Sequence, residues 1–148
     1  MSTTVGDLLR IKGSTVETIT ASETILEAIR RMNERHIGCL AVVTKAGKLS
    51  GIVSERDVLW KVIATGSSPK THLVKDAMTP IAQMDTVTPS QTVEECMALI
   101  SGKRHRHLPV LEDGKLVGLI SIGDVVKFML DAQQSTIQSL EKYITGTF

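Results

Sequence analysis

Apolar positions in the first half of the chain alternate between a helical period and short continuous runs. Residues 25–32 show the helical period, with apolar side chains at steps of three and four residues: Ile25, Ala28, Ile29 and Met32. Thr24 and Glu27 have the spacing of a capping box, so a helix is predicted to begin after Thr24. Two β-branched runs follow, at residues 39–43 and 49–53, and the short segment between them predicts a hairpin.

The second half repeats this pattern. Thr18–Ile25 aligns with Thr86–Val93, and Gly47–Ser54 aligns with Gly114–Ser121. A second capping box is formed by Thr92 and Glu95, and a second helical stripe follows it: Val93, Cys96, Met97 and Ile100. Ordered matches over this length indicate two copies of one unit, each predicted to run strand, helix, strand, strand, helix.

The repeat predicts an α/β (α+β) protein made of two pseudo-two-fold-related units. We expect the first unit at residues 5–66, the second at 74–130, and a helical extension at 131–148. A unit of this size exposes too much apolar surface to be stable alone. The copies should therefore pack sheet to sheet, which creates two related clefts between them.

Charge and composition narrow the class. The chain has 148 residues with 17 Lys and Arg against 16 Asp and Glu, a net charge of +1, so a globally basic nucleic-acid binder is excluded. Its two cysteines, Cys39 and Cys96, do not form a disulfide framework, and Cys96 is expected in the core. No apolar run is long enough for a membrane span and no leader is apparent. We expect a cytoplasmic protein without membrane contact.

A serine and an aspartate recur three residues apart after each hairpin, as Ser54 with Asp57 and Ser121 with Asp124. At the first turn of a helix the free backbone N–H groups favour anions, a serine hydroxyl can donate to phosphate, and a carboxylate can accept from ribose hydroxyls. The same spacing also makes a complete helix cap, and both roles can coexist.

These motifs resemble a tandem pair of cystathionine-β-synthase (CBS) domains. The resemblance covers about residues 5–130 and is carried by four segments: 51–57, 74–80, 106–110 and 118–124. It implies a regulatory protein, usually dimeric, that binds an adenosine ligand such as AMP, ADP, ATP, NAD(H) or S-adenosylmethionine. It also implies that both Ser-x-x-Asp turns contact this ligand.

The basic residues differ between the copies. Copy one carries Arg56 inside its turn where copy two has Gly123, and copy two carries the cluster Lys103–His107. Arg56 is predicted to meet a phosphate in the first cleft, and Arg106 or His107 one in the second, or arginines could serve each other's ligand across a common groove. The alternative is a solvated basic strand edge.

The adenine is predicted to lie in an apolar slot, on positions assigned by alignment to the family: Ile19, Ile52, Val87 and Leu119. The same residues are equally expected as core. Trp60 is predicted to be a packing residue instead of a stacking platform.

Other classes fit less well. His105 and His107 would share a strand face if this segment is extended, but no carboxylate or cysteine lies beside them at ligand spacing, so no metal site is predicted. No hydrolase, metalloprotease or phosphate-loop motif occurs, and we predict a non-enzyme. Nucleic-acid binding through Lys103–His107 lacks neighbouring aromatic residues. A structural module that only dimerises stays open.

Apolar residues continue at helical spacing beyond the second copy, up to Gly146: Val126, Met129, Leu130, Ile137, Leu140 and Ile144. This stripe either folds back or packs on a second chain, and we favour a homodimer. The sequence thus predicts a module that binds AMP, ADP, ATP or NAD(H) in one or both clefts. It would transmit occupancy to an unidentified partner protein.

Overall fold

The computed structural model describes residues 3–102 and 106–146. The helices and strands of the first half are α1 (Val5–Lys12), β1 (Thr18–Ile19), α2 (Ile25–Arg35), β2 (Cys39–Val43), β3 (Leu49–Ser54), α3 (Glu55–Asp57) and a π-helix (Val58–Ile63) that continues α3. Those of the second half are α4 (Val74–Ala77), β4 (Thr79–Pro80), a 3₁₀ turn (Ile81–Gln83), α5 (Val93–Gly102), β5 (His107–Glu112), β6 (Lys115–Ser121) and α6 (Ile122–Thr145). This mixed α+β architecture confirms the predicted fold class.

The first sheet has the order β1-β2-β3-β4, with β1 parallel to β2 and the other neighbours antiparallel. The second sheet pairs β5 with β6, joined by a two-residue turn at Asp113 and Gly114. Both turn residues have positive φ, 51° and 78°, which is the geometry that matches the twist of a hairpin. The pair of consecutive strands that the repeat predicts in the second unit is confirmed as a hairpin.

The first strand of the second unit is shorter than the repeat predicts. Within the described part of this segment, Val87 alone bridges β5, in parallel with Val110. In the first unit the N–H of Ala41 donates to the carbonyl of Glu17. The residue aligned with Ala41 is Pro109, which has no N–H, so the corresponding hydrogen bond cannot form.

Capping at the start of α2 is also simpler than predicted. The Thr24 hydroxyl accepts from the Glu27 N–H at 3.2 Å, as expected. The Glu27 carboxylate does not return to Thr24 but accepts from Arg31 at 3.1 Å. Reciprocal capping boxes form instead at the starts of α1, α3 and α6, where the short Asp side chain completes the turn.

The first helices of the two units, α1 and α4, are exchanged between them. Val5, Leu8 and Leu9 of α1 are buried in the core of the second unit, and α4 is buried in the core of the first. Backbone hydrogen bonds hold α1 against the second unit; for example, the Val5 N–H donates to the carbonyl of Gln91 at 2.8 Å. Each hydrophobic core is therefore completed by a helix from the other half of the chain.

Candidate functional site

A cavity of about 480 Å³ opens where the two units meet. Its walls combine residues of both copies: Gly38, Ile52, Ser54, Glu55, Arg56, Asp57, Trp60, Lys61, Thr79, Met84, Arg106 and His107. Strand β3 ends at this cavity and α3 begins there, while the first residues of β5 approach from the second unit. The structure therefore brings the basic residues of copy two to the Ser-x-x-Asp turn of copy one.

The turn at the start of α3 is a closed cap. The Ser54 N–H donates to Asp57 Oδ2 at 2.9 Å, and the Asp57 N–H donates to the Ser54 hydroxyl at 3.3 Å. Lys61 donates to the other carboxylate oxygen, Oδ1, at 2.9 Å. A carboxylate offers about four lone-pair directions, so Asp57 can accept further hydrogen bonds from a ligand while it caps the helix.

Charge at this cavity comes from both units. Arg56 and Arg106 are exposed at its wall, and Lys61 adds a third cation. Glu55 is the acidic neighbour, held by its N–H to the carbonyl of Gly38 at 2.9 Å. A guanidinium from each copy can therefore reach one phosphate group, for which arginine supplies two parallel charge-assisted hydrogen bonds.

His107 is the titratable group of the cavity wall. Burial lowers its pKa, Lys12 and Arg106 lower it further, and Asp124 and Asp57 partly oppose the change. The imidazole is therefore neutral at pH 7 and can donate one hydrogen bond and accept another.

The corresponding turn of the second unit has a different environment. Ser121 and Asp124 form the same reciprocal cap, at 2.9 and 3.1 Å. Lys12 of α1 donates to Asp124 Oδ2 at 2.6 Å and to the carbonyl of Leu119 at 2.7 Å. Burial opposes ionisation of Asp124, but the hydrogen bonds from Lys12 and Ser121 outweigh it and lower the pKa of this carboxyl.

A second cavity, of about 660 Å³, lies between α2 and the π-helix and is lined mainly by apolar side chains such as Met32, Leu59 and Ile63. No lysine or arginine is found on this lining, as far as the described ranges go. The cavity at Asp57 is therefore the one suited to an anionic ligand.

The model of the CBS domain family matches this sequence twice, over residues 5–64 and 74–131. The chain belongs to the CBS-domain family. It is 37% identical to the mitochondrial CBS domain-containing protein CBSX3 of Arabidopsis thaliana, over 99% of this chain and 74% of that protein. Two copies of the domain make it a CBS-pair module, a regulatory and signal-transduction domain.

Solved structures agree with this assignment. A putative signal-transduction protein with CBS domains from Burkholderia ambifaria superimposes with a TM-score of 0.81 at 44% identity, covering 88% of this chain and 96% of that one. CBSX2, solved in complex with AMP, superimposes with a TM-score of 0.70 at 28% identity, covering 86% and 97%.

The residues predicted from the CBS resemblance fall into three groups. The first cavity contains most of them: Ile52, Ser54, Arg56, Asp57, Arg106 and His107. Leu119, Ser121 and Asp124 lie together at the second turn, beside Lys12. Ile19 and Val87 are each 1% exposed and belong to the two hydrophobic cores, so of the four predicted slot residues Ile52 alone lines the cavity.

Trp60 is a correction. The sequence predicts a packing residue, but the Trp60 side chain is 63% exposed and lines the cavity of the CBS pair. The inward positions of the π-helix are taken by Val58 and Val62, which leaves the indole on the open side. Sequence reasoning also missed Lys61, although its position four residues after Asp57 on a helix was a readable signal.

Two further expectations concern metals and membranes. Within residues 3–102 and 106–146, no cluster of three or more His, Cys, Asp or Glu is placed to hold a metal ion. Lys103, Arg104 and His105 of the predicted basic cluster lie outside these ranges. No helix in the part of the chain that the structure describes is long and apolar enough to cross a membrane.

Burial makes both cysteine thiols of the CBS pair harder to ionise. It raises the pKa of Cys39 to about 12 and that of Cys96 to about 11. The thiolate is the reactive form, so both thiols are inert core groups, as predicted for Cys96.

Proposed function

We propose that this CBS pair is a regulatory module that binds an adenine nucleotide in the cavity at Asp57 and transmits its occupancy to a partner protein. The observation that carries the proposal is the composition of this cavity, in which a ribose-type acceptor and arginines from both copies line one space. Its volume of about 480 Å³ is in the range of small-molecule sites. The AMP complex of CBSX2 supports the same ligand class.

The ligand's groups have distinct partners in this proposal. Asp57 accepts from the ribose hydroxyls, the guanidinium groups of Arg56 and Arg106 bind phosphate, and the adenine packs against Ile52. The Ser54 hydroxyl donates to Asp57 Oδ2 at 3.1 Å and would turn away from it to donate to the phosphate. Trp60 is available beside them as an aromatic surface. AMP, ADP, ATP and NAD(H) satisfy these requirements. S-adenosylmethionine has no phosphate and should bind more weakly.

Binding at this position provides a route for signalling. A phosphate that contacts Arg56 and Arg106 links copy one to copy two, so occupancy favours one relative position of the copies. A partner protein that distinguishes these positions would sense the nucleotide. The proposal assigns a regulatory role without catalysis, and the Arg-rich wall serves a nucleotide instead of a nucleic acid.

The exposed stripe of α6 supports a homodimer as a second part of this proposal. Every residue that the structure describes from 131 to 146 is exposed, and large apolar side chains recur along this length: Ile137, Leu140 and Ile144. A second copy would cover them by an isologous contact. A cytoplasmic location stays a prediction, since the Arabidopsis relative is named mitochondrial.

A thermal-shift panel tests the nucleotide proposal. AMP, ADP, ATP, NAD, NADH and S-adenosylmethionine are compared on the wild-type protein and on Asp57→Ala. A ligand at about 100 times its Kd stabilises by about 2.7 kcal/mol, which raises the Tm by a few degrees. We expect a shift with at least one phosphorylated ligand and its loss in Asp57→Ala. No shift with any of them at millimolar concentration would favour the purely structural module.

A further inference from the structure

The two Ser-x-x-Asp turns are equivalent in sequence but differ in what lies in front of them. Leu119 and Asp124 align with Ile52 and Asp57, so the space between each pair is the corresponding part of the two clefts. Ile52 and Asp57 both line the open cavity. Between Leu119 and Asp124 lies the ammonium group of Lys12.

Lys12 bridges the strand to the turn. Its Nζ donates to the carbonyl oxygen of Leu119 at 2.7 Å and to Asp124 Oδ2 at 2.6 Å. The two side chains are only 31% and 25% exposed, which limits how far water screens the pair. A ribose that entered the space between Leu119 and Asp124 would have to displace this ammonium group and its charge-assisted hydrogen bond to Oδ2.

Helix α1 holds the lysine in place. The helix is anchored in the core of the second unit by Val5, Leu8 and Leu9, and the capping box of Thr4 and Asp7 closes its start. Lys12 is its last residue, followed by Gly13 at φ 98°. The side chain therefore extends from a fixed helix end instead of a free loop.

The chain takes different paths after the aligned parts of α1 and α4. After α4 the chain becomes extended and Thr79 pairs with Ile52 on the edge of β3. After the aligned residues of α1 the helix continues to Lys12, and the lysine ammonium takes the carbonyl at the corresponding edge of β6. A longer helix thus replaces a short strand, and it introduces a cation into the second cleft.

Lys61 contacts Asp57 in the first cleft, but its position is different. It follows Asp57 on the same helical segment, approaches Oδ1, and makes its second hydrogen bond to the carbonyl of Ala77 at 3.0 Å. It does not join the turn to β3, and both Asp57 and Lys61 stay on the wall of the open cavity. Among the described residues, a lysine therefore lies between the strand end and the aspartate in the second cleft, but not in the first.

We propose that Lys12 closes the second cleft, so that each chain binds one nucleotide, at Asp57, and not two. This inference rests on the proposed function, because it concerns the sites for the same ligand. The lowered pKa of Asp124 agrees with it, since the carboxylate that would receive a ribose is stabilised by an internal partner. While the ion pair between Lys12 and Asp124 is intact, the Lys12 side chain competes with a second ligand for Asp124.

Calorimetric titration with AMP tests the stoichiometry. We expect one AMP per wild-type chain, none for Asp57→Ala, and one for Asp124→Ala. Lys12→Met keeps the apolar stem and the helix propensity but removes the charge, and should bind two AMP per chain. Combining Lys12→Met with Asp124→Ala should restore one. Arg10→Ala, an exposed cation on the same helix, is the matched control and should stay at one.

The outcomes separate the two proposals. Two AMP per wild-type chain, or one for Lys12→Met with an unchanged circular dichroism spectrum, overturns the closure by Lys12. No binding to either protein contradicts the nucleotide function itself. If Lys12→Met does not fold, NMR of the wild type decides. AMP should then shift the resonances of Ile52 and Asp57 and leave those of Leu119 and Asp124 in place, and the reverse pattern rejects the closure.

Discussion

At the residue scale, Asp57 both caps a helix and lines the candidate site. Asp57 is 9% exposed and closes the cap of α3, yet it lies on the cavity wall. Capping aligns the carboxylate before a ligand arrives, so less conformational entropy is lost on binding. The structural and functional readings of the Ser-x-x-Asp turn are therefore compatible.

Arg106 gives the sharpest test of the phosphate assignment. Arg106→Ala should weaken AMP binding at least about tenfold, because a hydrogen bond to a charged group contributes about 1.5–3 kcal/mol. Binding of adenosine, which lacks the phosphate, should hardly change. Affinities from calorimetry check both ligands, with the exposed Arg30→Ala as the control. Equal losses for AMP and adenosine would contradict a phosphate role for Arg106.

The lowered pKa of His107 predicts that the free energy of unfolding depends on pH. Its pKa is lowered in the folded chain, so below pH of about 6.5 the unfolded chain binds a proton that the folded chain does not. The free energy of unfolding should therefore fall as the pH drops from 6.5 towards the folded pKa. Urea unfolding at several pH values should show this decrease, and His107→Gln should reduce it.

His36 provides the control for this experiment. It is an exposed residue with φ 54° at the end of α2, a conformation that asparagine also adopts. His36→Asn should keep the wild-type pH dependence. If His107→Gln also keeps it, another group is responsible.

At the scale of elements, the pairing of β3 with β4 requires a glycine at position 51. A Cβ on Gly51 would collide with the backbone carbonyl of Thr79 on β4. Gly51→Ala should therefore separate the two strands and lower the free energy of unfolding by about 1–3 kcal/mol. Chemical denaturation measures the loss. Gly102→Ala, at the end of α5 with no described atom within 4 Å of the added Cβ, should lower it little, and an equal loss for both variants would contradict this reason.

The exposed length of α6 makes a prediction about assembly. Deletion of residues 131–148 removes Ile137, Leu140 and Ile144 from the exposed stripe but leaves both cores intact, because Val125 is the buried residue of this helix. We expect the full chain to be a dimer, as proposed, and the shortened chain to be folded and monomeric. Light scattering with circular dichroism checks both properties. An unchanged dimer would exclude the C-terminal stripe as the contact.

At the scale of the whole molecule, the exchange of α1 and α4 makes the two copies interdependent. A fragment of residues 1–66 lacks α4, and a fragment of 67–148 lacks the three α1 residues that fill its core. Neither fragment should fold alone, whereas a mixture should regain the circular dichroism of the intact chain. Cooperative unfolding of fragment 67–148 by itself would contradict this interdependence.

Much of the fold was readable because it depends on local interactions. The helix of residues 25–35, both hairpins and the two Ser-x-x-Asp caps follow from spacing, β-propensity and turn chemistry within a few residues. The internal repeat then predicted two similar units. The shortened strand at Val87 also has a local cause, since Pro109 lacks the required donor.

The residues of the site were readable as types, but their grouping was not. The sequence predicts Arg106 or His107 in the second cleft, with a common groove as the alternative, whereas both residues line the cavity of Asp57. Lys12 was not singled out, because 112 positions separate it from Asp124. The exposure of Trp60 depended on the π-helical register after Asp57, which apolar spacing does not reveal.

The sequence by itself determined the repeat, most of the elements within each copy and the pair of Ser-x-x-Asp caps, because these depend on neighbours in the chain. Only the tertiary structure decided that the lead-in helices are exchanged, that one cavity collects cations from both copies, and that a lysine fills the other turn. Such contacts join distant segments through the packing of buried faces. Two copies with almost the same local pattern therefore acquire unequal clefts.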